Sequence, residues 1–257
     1  MPTFERYVAI GDSSTEGLED AVPGARHRGW ADRLAQHVAS AQGRALMYAN
    51  LAVRGRKIRE VLEEQLAPAL SFRPDLASVF AGTNDIIRSR VDLDAVCADL
   101  HTMQRALREI GATVVTITMP DLSEVLPLAR RIQPRLEAFN ARVRELSVDT
   151  GSLVLDVAAY PVASDPRLWH EDRLHANSEG HRRIAAGLAY RLGLPGFGEE
   201  WGAPLPPRPA PGIVANATAE LRWVLGYLFP WILRRVTGRS SGDGVSAKRP
   251  ALEPVHP

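Results

Sequence analysis

The sequence predicts an α/β sandwich with a parallel central sheet. Two observations predict it. Short apolar runs rich in β-branched residues alternate with amphipathic stretches of helical period, and several of the runs stop at glycine or proline. The length of 257 residues fits one domain, or one domain with an appendage.

The first strand is read at Tyr7-Val8-Ala9-Ile10, ending at Gly11, and the second at Leu46-Met47-Tyr48-Ala49-Asn50. The third is Leu76-Ala77-Ser78-Val79-Phe80, followed by Gly82; the fourth runs from Thr113 to Thr118, before Pro120; the fifth is Leu153 to Val157. Their brevity and β-branched content favour strand over buried helix. Trp30, Leu34 and Val38 recur every four residues. Leu93, Val96, Leu100, Met103, Leu107 and Ile110 step by three and four, as do Ile132, Leu136, Phe139, Val143 and Leu146. Ile184, Leu188 and Leu192 continue the series, each set forming one apolar stripe on a helix. In such sheets ligands sit beyond the carboxyl ends of the strands.

The main domain is read as 1–194. Residues 195–212 carry Pro195, Pro204, Pro206, Pro207, Pro209 and Pro211, which suits a linker or a surface-hugging strap. A helix is expected over 213–236, with Val214, Leu221, Leu225, Leu228 and Ile232 on one face and Pro230 kinking or ending it. The Gly/Ser/Pro-rich stretch 237–257 reads as a flexible tail. The Arg-rich end, with Arg234, Arg235, Arg239, Lys248 and Arg249, follows an aromatic helix. That helix is read as packed over the main domain, with a peripheral membrane anchor as the alternative.

Composition excludes several classes. An apolar content of 45% fills a core and rules out disorder throughout. With 31 basic and 30 acidic residues the net charge is +1, so nothing global points to nucleic acid. Cys97 is the only cysteine, which excludes an intramolecular disulfide and a cysteine-based zinc site. Arginine and alanine dominate, pointing to a GC-rich, bacterial genome. The N-terminus has no basic region followed by an apolar stretch, and no apolar run reaches the ~18–20 residues that span a bilayer. A cytoplasmic protein is the expectation.

Four short motifs stand near the expected site. They are Gly11-Asp12-Ser13-Ser14, Asn50-Leu51-Ala52-Val53-Arg54-Gly55, Gly82-Thr83-Asn84-Asp85 and Asp172-Arg173-Leu174-His175. Together they hold the parts for acyl transfer. A serine hydroxyl needs a base to take its proton, and His175 can be that base. The base needs a carboxylate to hold its tautomer, and Asp172 is three residues away. An oxyanion needs donors, which the N–H groups of Ser13 and Gly55 and the amide of Asn84 can supply.

These four blocks, in this order across residues 7–181, resemble the SGNH, or GDSL-type, hydrolases. The resemblance implies a flavodoxin-like three-layer α/β/α fold with a five-stranded parallel sheet. It implies Ser13 as nucleophile, His175 as base and Asp172 as its partner, with Ser13, Gly55 and Asn84 as the oxyanion hole. Ser14 stands where many members have leucine. Residues 195–257 lie outside the resemblance.

Blander readings compete at several positions. Asp12 is read as a hydrogen-bonding partner of the serine loop, Ser14 as a capping residue and Asp85 as a structural carboxylate. His181 shares the buried stripe of its helix, and His170 precedes the carboxylate. Asp121 and Asp156, near strand ends, rival Asp172. His170, His175 and Asp172 lack a further ligand cluster at metal spacing, so no metal is expected. Trp30 and Trp169 are read as packing residues before pocket residues. The resulting expectation is a cofactor-free serine esterase acting on a small-molecule or lipid ester. Its alternatives are an acyltransferase using the same acyl-enzyme and a catalytically silent binding module. Loops 14–29, 85–92 and 120–131 are expected to shape the pocket, with the C-terminal strap as a further candidate.

Overall fold

The computed structural model describes residues 3–22, 27–88, 90–208, 213–237 and 240–257, without the side chains of 127, 128, 213–217 and 235. Pro209, Pro211 and Arg239, the side chains of Val214 and Arg235, and parts of loops 14–29 and 85–92 lie outside the described residues.

The chain runs β1 (Arg6–Gly11), α1 (Ser13–Glu16), α2 (Gly29–Gln42), β2 (Leu46–Asn50), α3 (Ile58–Ser71), β3 (Leu76–Phe80), α4 (Thr83–Ile86) and α5 (Leu93–Glu109). It continues through β4 (Thr113–Ile117), α6 (Gln133–Thr150), β5 (Leu153–Leu155) and α7 (Ser178–Arg191). A helix then runs through α8 (Ile213–Trp223), a π-turn (Val224–Leu228) and α9 (Phe229–Val236), and β6 (Arg249–Val255) ends the fold.

The five expected strands all form, in the spatial order β5-β4-β3-β1-β2, and all pair in parallel. Their buried runs, such as Tyr7–Ile10 and Leu76–Val79, are nearly inaccessible because helices cover both faces. α2 packs with α7, while α3, α5 and α6 pack in a row. Parallel pairing places the carboxyl ends of β1, β2 and β3 on one rim. That brings the first three motifs together, although they lie at residues 11–14, 50–55 and 82–85.

Three expectations need correction. The sheet has six strands and is mixed, because β6 pairs antiparallel with the outer edge of β2, from Leu46↔Val255 to Asn50↔Arg249. The tail read as flexible therefore closes an open sheet edge. Pro250 and Pro254 disguise it as coil, yet proline is tolerated on an edge strand, where one side of the backbone needs no partner. Lys248, at the head of this strand, is buried and pairs with Asp32 at 2.9 Å.

Pro230 does not end its helix. A proline lacks the N–H for the bond four residues back, and the widened Val224–Leu228 turn just before it lets the helix continue. The expected packing face also differs. Leu221, Leu225 and Ile232 are exposed, whereas Trp223 is buried.

α3 was not among the predicted helices. Its apolar positions Ile58, Val61, Leu66 and Ala69 are interrupted by Pro68 and charged residues, which blurs the period. The proline-rich segment after Leu194 hugs the surface. Trp201 is buried against Tyr160, ring centroids 4.3 Å apart, and Arg167 donates to the Pro206 carbonyl at 2.6 Å.

Candidate active site

Ser13 is the first residue of α1, directly after β1. The Asp12 carboxylate caps that short helix by accepting from Ser14 N–H at 3.2 Å. The loop before it is clamped from α3. The Gln65 amide accepts from Gly11 N–H at 2.8 Å and donates to the Gly11 carbonyl at 2.9 Å. A buried glutamine that satisfies both backbone groups of one residue fixes where the next two residues point. Nothing in the sequence singled out Gln65.

His175 and Asp172 sit on the loop before α7. The His170 N–H donates to the His175 carbonyl at 2.8 Å, and Trp169 bridges Ala176, so the loop is a small pinned hairpin. Asp172 Oδ1 accepts from the N–H groups of Leu174 and His175, both at 3.0 Å, and Oδ2 lies 2.6 Å from His175 Nδ1. His175 Nε2 lies 2.7 Å from Ser13 Oγ, closing a line across 162 positions of sequence. A carboxylate only accepts, so Nδ1 carries the ring proton and Nε2 presents its lone pair to the serine hydroxyl.

The electrostatics suit that tautomer. Burial works against the Asp172 charge, but the hydrogen bond and charge of His175 and the two N–H donors bring its carboxyl down to about 2. Burial likewise disfavours an imidazolium, yet Asp172 outweighs it and holds His175 above the ordinary histidine value. Burial pushes the Asp12 carboxyl up to about 7 despite its bond from Ser14.

Asn84 and Gly55 reach the same rim. Asn84 Nδ2 donates to the Arg56 carbonyl at 3.0 Å and lies 3.4 Å from Asp12 Oδ2. The amide thus touches the neighbour of Ser13 on one side and the neighbour of Gly55 on the other. Gly55 has a left-handed φ of +78°, and a Cβ there would lie 2.2 Å from Ser240 Oγ. Gly82, at φ +113°, turns the chain from β3 into α4 and so aims Asn84. Arg54 locks the glycine loop to α1 by pairing with the buried Glu16 through its guanidinium and, at 2.7 Å, its backbone N–H.

The rival residues are engaged elsewhere. Asp156 pairs with Arg144 at 2.8 Å, and Asp121 accepts from Ser123 N–H at 2.7 Å. Asp85 accepts from Ile58 N–H at 3.0 Å and so caps α3. His181 is buried, accepts from Trp30 N–H at 3.1 Å through Nδ1 and donates to the Leu18 carbonyl at 2.9 Å. Burial lowers its pKa to about 4, so it is a neutral packing histidine. Trp30 is fully buried, as read; Trp169 lines a cavity.

Among the described residues, Glu19, His170 and Asp172 have possible metal donors within 4.8 Å of one another. The donor set is already spoken for. Asp172 serves His175, His170 Nδ1 accepts from Asp172 N–H at 3.2 Å, and His170 Nε2 lies 3.2 Å from Glu19.

Beside Ser14, Thr83 and Leu174 opens a cavity that runs into the interior between β4, α6 and α7. Its walls include Phe80, Ile86, Met119, Leu136, Leu168 and Trp201. The loops 14–29, 85–92 and 120–131 contribute Ser14, Ile86, Ile87, Pro120, Leu122 and Ala129, as expected. The strap contributes Trp201, as expected, and the wall also takes Val157, Val162, Ala163 and Leu168, to which the sequence did not point. Among the described residues, Arg183 is the one full charge in the wall. It is neutralised by Glu179 at 2.9 Å and donates to the carbonyls of Trp201 and Ala203.

The model of the GDSL-like lipase/acylhydrolase family matches residues 9–183. The chain belongs to that family. A search of curated protein sequences finds no match. Solved structures similar to the chain include an α/β hydrolase from the metagenome of Lake Arreo, Spain, with 20% identity, TM-score 0.63 and coverage of 76% of this chain and 97% of that one. The acetylxylan esterase of Geobacillus stearothermophilus has 21% identity, TM-score 0.60 and coverage of 78% and 97%. The psychrotrophic esterase EstA of Pseudoalteromonas sp., in a structure inhibited by monoethylphosphonate, has 16% identity, TM-score 0.56 and coverage of 74% and 97%. At such identities the likeness is one of fold. The GDSL-family match stops before the strap, the C-terminal helix and β6.

Proposed function

We propose that this GDSL-family protein hydrolyses carboxylic esters with apolar acyl groups, through an acyl-enzyme on Ser13. The observation that carries the reading is the unbroken line Ser13 Oγ–His175 Nε2–Asp172, at 2.7 and 2.6 Å. His175 Nε2 takes the hydroxyl proton as Ser13 Oγ bonds to the acyl carbon, and the carbonyl π pair moves onto oxygen. Asp172 keeps Nδ1 protonated and stabilises the imidazolium. The oxyanion is held by Ser13 N–H, Gly55 N–H and the Asn84 amide. Its collapse expels the alcohol oxygen, which takes the proton from Nε2. Water then attacks the acyl-enzyme, giving its proton to His175, and the second collapse releases the acid and returns the proton to Ser13.

The cavity beside Ser14 supports an acyl group longer than acetyl. An acetyl ester leaves its apolar walls unfilled, whereas each methylene that enters gains about 0.8 kcal/mol of burial. The similar acetylxylan esterase therefore does not lend its substrate to this chain.

The test is hydrolysis of a p-nitrophenyl ester series from acetyl to palmitoyl. The reading expects kcat/KM to climb beyond acetyl, and Ser13→Ala to remove at least about 1,000-fold of it with the melting temperature unchanged. Wild-type turnover in Ser13→Ala rejects the mechanism; a flat or falling series rejects the acyl preference.

A further inference from the structure

The helix Ile213–Val236 carries two stripes of opposite character. Glu220, Trp223 and Tyr227 face the domain. Glu220 pairs with Arg173 at 2.5 Å, and the Arg173 guanidinium lies 4.6 Å from the Trp223 ring. The Trp223 indole N–H donates to the Asp172 carbonyl at 3.2 Å, and the Tyr227 ring meets His170 edge-on at 5.9 Å. All of these inward contacts are made to the loop that holds His175.

The outward stripe is Leu221, Leu225, Phe229, Ile232, Leu233 and Val236, in steps of three and four except for the adjacent pair Ile232 and Leu233. Its exposure sets it apart from the residues that contact the domain. Eleven large hydrophobic side chains are exposed among the described residues, and seven fall within 221–236. The other four, Val22, Met47, Ile110 and Val148, lie far apart in sequence on other elements. Single exposed hydrophobics are ordinary, whereas a continuous stripe marks a surface that something covers.

Charge identifies the cover. The helix has one acid, Glu220, and three arginines, Arg222, Arg234 and Arg235. Glu220 is already paired inward with Arg173, so the helix carries a cationic excess beside its apolar stripe. An exposed apolar stripe on a helix with an excess of arginine and with aromatic residues fits the interface of an anionic bilayer. No helix among the described residues is long and apolar enough to cross a membrane, so the contact is peripheral.

We infer that this helix seats the protein on an anionic lipid surface, with the loop carrying Asp172 and His175 held directly behind it. The inference sharpens the proposed function by placing its ester substrate in or on a bilayer, but binding is testable without turnover. Ether-linked phospholipid vesicles offer no ester to cleave, so the result does not depend on Ser13 chemistry.

The full chain is sedimented with ether-linked phosphatidylcholine vesicles, with and without one third ether-linked phosphatidylglycerol. The expected result is binding to the anionic vesicles that weakens between about 0.1 and 1 M salt. Leu225→Glu/Phe229→Glu should weaken it at least ~10-fold, and Arg222→Glu/Arg234→Glu should remove most of its salt dependence. An unchanged helical circular-dichroism melt shows that the exposed substitutions leave the fold intact. Absence of wild-type binding, or binding undiminished by Leu225→Glu/Phe229→Glu, overturns the inference. A dimer that Phe229→Glu converts to monomer, without vesicle binding, also overturns it and assigns the stripe to a second copy of the chain.

Discussion

The rim of the sheet and the C-terminal sixty residues solve different problems with different kinds of residue. At the rim, Ser13, Gly55, Asn84, Asp172 and His175 each sit in a four- to six-residue motif, and parallel strand pairing assembles them. The C-terminal region has no such motif. Its residues act by what they touch: Trp201 walls the cavity, Trp223 holds the Asp172 carbonyl, Ser240 packs on Gly55 and β6 seals β2. The chemistry is thus written locally and its support non-locally. An appendage outside the family match nevertheless touches the Asp172 loop, Gly55 and the cavity wall.

Substitutions that divide these two regions should differ in size and kind. The largest effect is expected from Asp172→Asn, which keeps the shape but removes the charge that fixes the His175 tautomer; kcat should fall about 10⁴-fold. The pH profile gives a second readout. Only neutral His175 can act as base, so activity rises with pH through its pKa. Because Asp172 holds that pKa above the ordinary value, the acid limb of kcat/KM for wild type should lie above about 6.5. In Asp172→Asn the limb should move to lower pH. A limb that stays in place would show that another group titrates.

Next in size is Lys248→Ala. It strips the cationic partner from Asp32, leaving only the Tyr48 hydroxyl, and unties the head of β6, so calorimetry should show a loss of about 3 kcal/mol in stability. The kcat of the folded enzyme should change little by comparison. A stability change near zero would mean that β6 is not an integral strand.

The smallest effect is expected from Trp223→Phe, which keeps an aromatic ring beneath Arg173 but deletes the bond to the Asp172 carbonyl. Such a bond contributes about 0.5–1.5 kcal/mol, so kcat should fall a few-fold to tenfold while KM for a short ester is held. Arg173 itself sits at φ +62°, a left-handed conformation that costs a non-glycine residue about 1 kcal/mol, and its contacts with Glu220 and Trp223 offset that cost. An unchanged kcat would separate the helix from the catalytic loop.

The same division explains what the sequence made legible. The five parallel strands were readable because each is a short apolar run bounded by turns. Ser13 and Asn84 stood out because each lies in a motif beside such a boundary, and Asp172 and His175 because they share a four-residue motif just before α7. Gln65 was invisible: its partner is a backbone 54 residues away, and nothing at position 65 announces it. β6 was misread because Pro250 and Pro254 argue locally against a strand, and only the free edge of β2 explains why they are tolerated. On the C-terminal helix the apolar period was visible, but which face packs was not. The buried face is chosen by Arg173 and Asp172, through an ion pair and an indole N–H rather than through leucines.

The account turns on whether Ser13 is a nucleophile activated by His175. The most direct test is intact-mass analysis with peptide mapping after exposure to a fluorophosphonate, in wild type, Ser13→Ala and His175→Ala. The account predicts one adduct per wild-type chain, on Ser13, none in Ser13→Ala and a strongly slowed reaction in His175→Ala. A wild-type chain that stays unmodified, or an adduct that forms at full rate without His175, would contradict it.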